Sequence, residues 1–249
     1  MGMKFEASDR IKFATGILAA AILSSGLTLG LYQVGSGLSA RAGNSITVTG
    51  TASENATADN AVWNLNLNES QPTLAASVKK IDSSADALKK YLLTGGISNQ
   101  QIELGPINSN AVPEYINGNP TGRIIAYQAY RTVTVRTKDV QLVASLSNNI
   151  GALLATGVNV GNYGPSYYLS TLDDMRPKLL AAAMQDAKAR AEAITEAVGG
   201  QVGALLSVST GPTQVTTKNS LERAAGGVYD LSTIEKTVNV TLSASFKTN

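Results

Sequence analysis

One uncharged stretch near the N-terminus limits how much of this chain can fold as a domain in water. Residues 13–40 carry no charged side chain, and three basic residues lie between positions 4 and 12. As a helix, residues 13–34 span about 33 Å at roughly 1.5 Å per residue, enough to cross a hydrocarbon core of roughly 30 Å. The sequence therefore predicts a transmembrane segment followed by roughly 205 residues, enough for a sizeable core.

The charges on either side of this stretch predict its orientation. Lys4, Arg10 and Lys12 precede it, whereas the next charged residue is Arg41. Basic residues mark the cytoplasmic side of a membrane helix, so the rest of the chain is predicted to lie beyond the cytoplasmic (inner) membrane, in the periplasm. The predicted parts are a cytoplasmic N-terminus, a single-pass signal-anchor helix, a linker and an extracytoplasmic domain, at residues 1–12, 13–34, 35–44 and 45–249.

Cleavage of this segment is the alternative to anchoring. Ala40-Arg41-Ala42 has the small-x-small form that a signal peptidase reads, and cleavage there would release a soluble protein. The apolar run, however, is longer than the roughly 7 to 15 residues of a signal peptide. We therefore favour a retained anchor.

Two glycines inside the segment match a helix-packing motif. Gly26 and Gly30 form a GxxxG pair, which lets two membrane helices approach closely. In a run rich in Gly, Ala and Ser, such a pair also arises by chance. Gly26 and Gly30 are the predicted packing residues of the anchor.

The absence of two residue types excludes most catalytic chemistry. The 249 residues contain no Cys and no His, which removes Ser-His-Asp and Cys-His catalysis, thiolate and imidazole zinc sites, and every disulfide. The net charge of +2 is too small to indicate nucleic acid as a partner. The enzyme options that remain are carboxylates alone, a Ser-Lys pair or a cation held by oxygen ligands. We predict a protein that is not an enzyme and that holds no cofactor and no metal ion.

One acidic pair leaves an alternative to that prediction. Asp173 and Asp174 are adjacent, and paired carboxylates suit a hard cation. A cation site needs several converging oxygen atoms, however, whereas the start of a helix favours acidic residues by itself. We therefore interpret the pair as a helix cap.

Hydrophobic periodicity predicts the folded part of the chain. Apolar and polar residues alternate over Ala61–Asn68 and Thr237–Phe246, which is typical of strands with one buried face. Spacings of three and four predict helices over 72–94, 139–155 and 173–198. The predicted fold is α+β, a mainly antiparallel sheet packed on one face by about three helices and preceded by one transmembrane helix.

A turn signal predicts a long hairpin. Strands are expected near Gln101–Asn108 and Arg123–Arg136, and Asn117-Gly118 lies between them. The intervening stretch, residues 112–122, is predicted to be an exposed loop that contacts another subunit.

Tyrosine is concentrated in two places in a chain that is poor in aromatic residues. Three tyrosines lie in the strand predicted over residues 158–170, and Tyr127 and Tyr130 lie in the strand predicted over Arg123–Arg136; one more, Tyr115, lies in the predicted hairpin loop. These rings either pack on the sheet or anchor a subunit interface. The candidate oligomer contacts are Tyr115, Asn117, Tyr163, Tyr167 and Tyr168.

Several stretches, taken in order, resemble a known protein family. They are ITVTGTAS, LLTGGISNQQIEL, AYQAYRTVTVRTKDV, LSTLDDMRPKLLAAAMQDAKARAEAITEAVGGQVGAL and STIEKTVNVTLSASF. Together they cover about residues 46–246 and are similar to the SIMPL domain, formerly a domain of unknown function. The last stretch resembles the branch that carries an N-terminal membrane segment.

This resemblance implies an exported bacterial envelope domain without established catalytic residues. Ring-like or cage-like self-assembly and links to envelope or oxidative stress are known in some members. We therefore expect a membrane-anchored, non-enzymatic homo-oligomeric scaffold that binds itself and the membrane. The alternative is a cleaved, soluble periplasmic module that binds a ligand or protects against stress.

Overall fold

The computed structural model describes residues 44–220, 222 and 224–249. Its strands are β1 (Ser45–Thr57), β2 (Asn60–Gln71), β3 (Ile102–Leu104), β4 (Asn108–Ile116), β5 (Asn119–Thr137), β6 (Val160–Asn162), β7 (Ser166–Tyr168), β8 (Val202–Thr210), β9 (Gln214–Thr217) and β10 (Glu235–Thr248). Its helices are α1 (Leu74–Thr94), α2 (Val140–Asn148), α3 (Gly151–Leu154) and α4 (Leu172–Glu196), with a 3₁₀ turn at Asn99–Gln101.

The described residues form two compact units. The first unit comprises residues 44–50, 184–209 and 242–249, and the second comprises residues 51–183 and 210–241. Strands β1 and β10 and helix α4 each contribute residues to both units. The predicted single domain over residues 45–249 is thus built from two parts.

The second unit contains a six-stranded antiparallel sheet whose centre is the pair β2–β5. β3 and β4 pair with β5, while β6 and β7 pair with the other edge of β2. Helices α1 and α2 pack on this sheet. The predicted alternation is confirmed in β2, where Trp63, Leu65 and Leu67 are buried. The buried Trp63 Nε1 donates a hydrogen bond to Asn162 Oδ1 at 2.9 Å, so the indole retains a partner.

Helix α1 shows how the sequence fixes one of these elements. The Thr73 hydroxyl accepts a hydrogen bond from the Ala76 amide and caps the first turn. Gly96 adopts a φ of 103° just after the helix, a conformation that favours glycine. The inward face consists of residues three or four positions apart, and its fully buried members are Ile81, Ala85, Leu88 and Leu92.

β10 is the central strand of the other sheet. In the first unit, the Thr248 amide donates to the Asn44 carbonyl, and Gln201 and Asn249 exchange backbone hydrogen bonds. These contacts place the end of β10 between β1 and β8 in antiparallel order. In the second unit, β9 pairs antiparallel with the start of β10, where Lys236 lies opposite Thr217.

The structure confirms the α+β class and the antiparallel pairing but corrects three details. There are two sheets, because β10 pairs with β1, β8 and β9 and not with the β2–β5 sheet. The helix predicted over 139–155 is broken at Asn149, which bonds back to the Ser145 carbonyl through its side chain, as such residues do at helix ends. Four helices therefore occur among the described residues, where about three were predicted.

The third correction concerns α4, which begins at Leu172. The amides of Asp174 and Met175 both donate to the Thr171 carbonyl. Asp173 and Asp174 therefore lie in the first turn, where acidic groups oppose the positive end of the helix dipole, and neither is the cap.

In the described part of the chain, no helix is both long and apolar enough to span a membrane. The predicted cytoplasmic N-terminus, transmembrane helix and nearly all of the linker, with Gly26 and Gly30, lie outside the described residues.

Candidate interaction surface

The hairpin predicted around Asn117-Gly118 is present and is longer than expected. β4 and β5 pair from Asn108 opposite Tyr130 to Ile116 opposite Asn119, so most of the predicted loop is strand. Asn117 and Gly118 form the two-residue turn with φ values of 52° and 83°. Both values lie in the left-handed region, which Asn and Gly adopt most readily. The dipeptide therefore sets the register at the tip of the hairpin, where Tyr115 lies opposite Pro120.

The outer half of this hairpin, residues 112–126, is called the arm below. Four of its apolar side chains are exposed: Tyr115 at 62%, Ile116 at 58%, Ile124 at 47% and Ile125 at 52%. Consecutive residues of a regularly paired strand point to opposite faces, so Tyr115 and Ile116, which lie opposite Pro120 and Asn119, place apolar surface on both faces. The arm is thus a two-stranded ribbon with an apolar surface on each side.

Polar contacts fix the shape of the arm. Thr121 Oγ1 donates to a Glu114 carboxylate oxygen at 2.7 Å, and the Arg123 guanidinium lies 3.7 Å from the same carboxylate. The register shifts on both sides of Pro113, which is tolerated because β4 is an edge strand. The two strands of the arm are therefore joined by side chains as well as by the backbone.

The predicted contact residues fall into three groups. Tyr115 and Asn117 lie together on the arm. Tyr163 follows β6 and is 89% exposed, while Tyr168 is 36% exposed at the end of β7. Tyr167, in contrast, is 6% exposed within the hydrophobic core, and burial raises the pKa of its hydroxyl. Tyr167 therefore packs on the sheet, as one of the two interpretations predicted. The exposed candidate residues are divided between the arm and the β6–β7 region.

A buried ion pair joins Lys236, at the start of β10, to Asp230 in the segment before that strand. The Lys236 side chain is fully buried, and its ammonium donates to the backbone carbonyl and the carboxylate of Asp230. Burial alone raises the pKa of Asp230, but hydrogen bonds from Thr233, Ser232 and Lys236 outweigh it and leave the pKa well below the usual range. The pair fixes the conformation of the segment that precedes β10.

Sequence reasoning missed this pair, although the sequence carries a signal for it. Counting back in steps of two from the inward-facing Val240 and Val238 reaches Lys236. A lysine at an inward-facing position of an alternating strand predicts a buried ammonium with an acidic partner. Only the tertiary structure identifies that partner as Asp230.

The acidic pair Asp173-Asp174 forms a local contact. Asp173 accepts a hydrogen bond from the Arg176 guanidinium at 2.7 Å, one helical turn away. No group of three or more acidic side chains that could hold a metal ion occurs among the described residues.

An apolar groove lies between the end of α1 and helices α2 and α3. Its volume is about 510 Å³. Tyr91 closes one side by donating a hydrogen bond to the Leu146 carbonyl at 2.8 Å. The principal lining residues are Ala87, Lys90, Tyr91, Leu146, Ala152 and Leu153.

Comparison with known families assigns these features to a domain family of unknown function. The family model described as SIMPL, a protein of unknown function (DUF541), matches residues 46–246. The match covers both units and the arm. No curated protein matches the chain.

Proposed function

The chain belongs to the SIMPL family, and from this premise we propose that it is a membrane-anchored, extracytoplasmic scaffold that assembles into a ring- or cage-like homo-oligomer. It has no reaction of its own, and it serves the bacterial envelope under stress. The anchor is the uncharged segment at residues 13–34.

The exposed arm is the single observation that carries this proposal. A two-stranded ribbon is marginally stable in water, and residues 112–126 expose apolar side chains on both faces. A second copy of the chain that covers the arm removes this apolar surface from water. Tyr115 is the best anchor, because tyrosine buries a large area and keeps a polar tip for the rim of an interface.

Native mass spectrometry of the full chain, extracted from its membrane in mild detergent, tests both parts of the proposal. We expect full-length subunits in a discrete complex of several copies. Ile125→Asp places a charge on the arm and should reduce the complex to monomers, because an unpaired charge in an apolar contact opposes association. Val198→Asp, at a position that is 82% exposed in the other unit, is the matched control.

Two results would contradict the proposal in different ways. An Ile125→Asp protein that keeps the wild-type complex would remove the arm from the interface. A wild-type subunit that begins near residue 43 would show that the anchor is cleaved, whatever the number of copies. Circular dichroism establishes in each case that the domain is folded.

The groove next to α1 favours a second candidate function, a cleaved soluble module that binds an apolar ligand. Its volume of about 510 Å³ lies within the range of small-molecule sites, ~300–1,000 Å³. Binding of the dye 1-anilinonaphthalene-8-sulfonate, followed by fluorescence, is the measurement. Ala152→Trp should fill the groove and abolish the signal, whereas an unchanged signal would exclude the groove as the site.

A further inference from the structure

The outer face of the six-stranded sheet carries an ordered array of uncharged polar side chains. Asn64 and Asn66 point away from the buried face of β2 and are exposed. Thr134 and Thr132 of β5 lie directly opposite them. On the other edge of β2, Gly161 of β6 lies opposite Asn66. Three neighbouring strands therefore present one continuous polar surface.

Hydrogen bonds orient the amides of this surface. The Thr132 hydroxyl donates to Asn66 Oδ1 at 2.9 Å, and the Thr134 hydroxyl donates to Asn64 Oδ1 at 2.9 Å. Each asparagine therefore uses its carbonyl oxygen within the sheet. Within the described part of the chain, no group accepts a hydrogen bond from the side-chain NH₂ of Asn64 or Asn66. The array thus holds a row of fixed donors that face solvent.

A groove of about 300 Å³ lies at the Asn66–Thr132 end of this array, and its polar lining also includes Asn68 and Asn159. Gly161 supplies no side chain at its centre, which leaves room above Asn66. Tyr163 stands at its side, and a ring carbon of Tyr163 lies 3.5 Å from the position that a Cβ of Gly161 would occupy. The ring is 89% exposed and contributes little to the core. The groove therefore combines amide donors, hydroxyl groups and one accessible aromatic ring.

We propose that this groove binds a neutral, flat oligosaccharide of β-1,4-linked pyranose rings. The CH-rich face of such a sugar ring stacks on the tyrosine ring, while its hydroxyl groups accept hydrogen bonds from the NH₂ group of Asn66, which lines the groove. An aromatic surface with a few positioned amides and hydroxyls is a common composition for a small-molecule site.

The charges near the groove favour a neutral ligand over an anionic one. Arg131 is the cationic residue in the lining, but its guanidinium bonds to Asp82 at 2.9 Å and to the Gly105 carbonyl at 2.9 Å. Its charge is therefore neutralised by groups of the protein. The volume, about 300 Å³, lies at the lower end of the range for small-molecule sites, ~300–1,000 Å³, and so suits a short oligosaccharide.

The test is isothermal titration calorimetry of the full chain with cellotetraose and with chitotetraose, in a detergent without a sugar headgroup. We expect at least one of the two probes to bind with a Kd of about 1 mM or tighter. Tyr163→Ala should weaken binding about tenfold, since the stacking contact is lost. Gly161→Leu should abolish binding by filling the groove, and its Cβ meets the nearest atoms at ordinary contact distances, so the sheet accommodates the change.

Val198→Ala is the control, because it truncates a side chain that is 82% exposed and lies in the other unit. Its affinity should equal that of the wild type. Absence of binding for both probes would overturn the proposal, and so would binding that Tyr163→Ala and Gly161→Leu leave unchanged. The result does not depend on self-assembly, which native mass spectrometry of the same variants measures separately.

Discussion

The two halves of β5 place similar residues in opposite environments. In the base half, Ala129, Val133 and Val135 are fully buried beneath the helices. In the arm half, Ile124 and Ile125 are about half exposed. Both halves are rich in β-branched apolar residues, which are typical of strands. Composition alone therefore does not separate core from interaction surface within one strand.

The pattern of apolar residues does separate the two halves. In the base half, apolar residues alternate with polar ones such as Thr132 and Thr134, because only one face meets the helices. In the arm half, the apolar residues Ile124 and Ile125 occupy adjacent positions beside a shift of register, so the alternation is lost. A strand end whose large apolar side chains remain exposed among the described residues is suited to a partner. The predictions below test this distinction, from the largest expected effect to the smallest.

Charge introduced into the base half should have the largest effect. Val133→Asp leaves an unpaired carboxylate in the core and should lower the free energy of unfolding by about 4 kcal/mol or more. Ile125→Asp, in the arm half, should change it by less than about 0.5 kcal/mol. Urea denaturation followed by circular dichroism measures both. Equal destabilisation would show that the arm is part of the core.

Loss of the buried ammonium should destabilise the body of the domain without altering the arm. Lys236→Met leaves the Asp230 carboxylate without its ionic partner and should cost about 3 kcal/mol. The control is Lys218→Met, whose exposed ammonium lies 3.4 Å from Glu235 and should contribute less than about 0.5 kcal/mol. A small effect of Lys236→Met on urea denaturation would contradict the role given to the pair.

The loss of stability in acid should reveal the same ion pair through Asp230. The pKa of Asp230 in the folded protein lies below its ordinary value of 3.8, so its stabilising contribution is complete above that value and is lost as the pH falls below it. Asp230→Asn should be less stable than the wild type at pH 7 and should lose less stability between about pH 4 and pH 2. Parallel acid dependence of the two proteins would contradict this assignment.

A substitution at the turn should affect the arm alone. Gly118 has a φ of 83° and no neighbour within 4 Å of an added Cβ, so Gly118→Ala adds backbone strain of about 1 kcal/mol without a clash. Hydrogen exchange of the arm amides should accelerate about fivefold, with the base half unchanged. Gly151→Ala has equal space in α3 without a positive φ and should be neutral or slightly stabilising.

The smallest expected difference concerns two ion pairs on the same strand. Arg131, at the base, is 18% exposed and lies 2.9 Å from Asp82, so Arg131→Met should cost about 1 kcal/mol. Arg123, on the arm, is 77% exposed, and Arg123→Met should cost less than about 0.3 kcal/mol. Equal losses in urea denaturation would indicate that burial does not distinguish the two halves.

Local sequence patterns were sufficient for most individual elements. The period of two in β2 and β10, the periods of three and four in α1, and the Asn117-Gly118 turn each depend on a few neighbouring residues. These elements could therefore be predicted from the sequence. The candidate contacts Tyr115 and Asn117 followed from the same turn, and their exposure agrees with it.

The burial and contacts of residues that depend on distant parts of the chain could not be predicted in this way. Tyr167 and Tyr168 are adjacent, but the pleat of β7 buries the first and exposes the second. The polar array on the sheet was likewise hidden, because Asn66, Thr132 and Gly161 are far apart in the chain and meet only through strand pairing.

The sequence by itself determined the α+β class, the hairpin and the family of this protein, because short-range periodicity and turn chemistry act within a few residues. Only the tertiary structure decided that there are two sheets, that Lys236 is buried against Asp230, and that the arm is left uncovered. The physical reason is that burial and strand pairing depend on long-range contacts, and one strand pattern is compatible with several pairings.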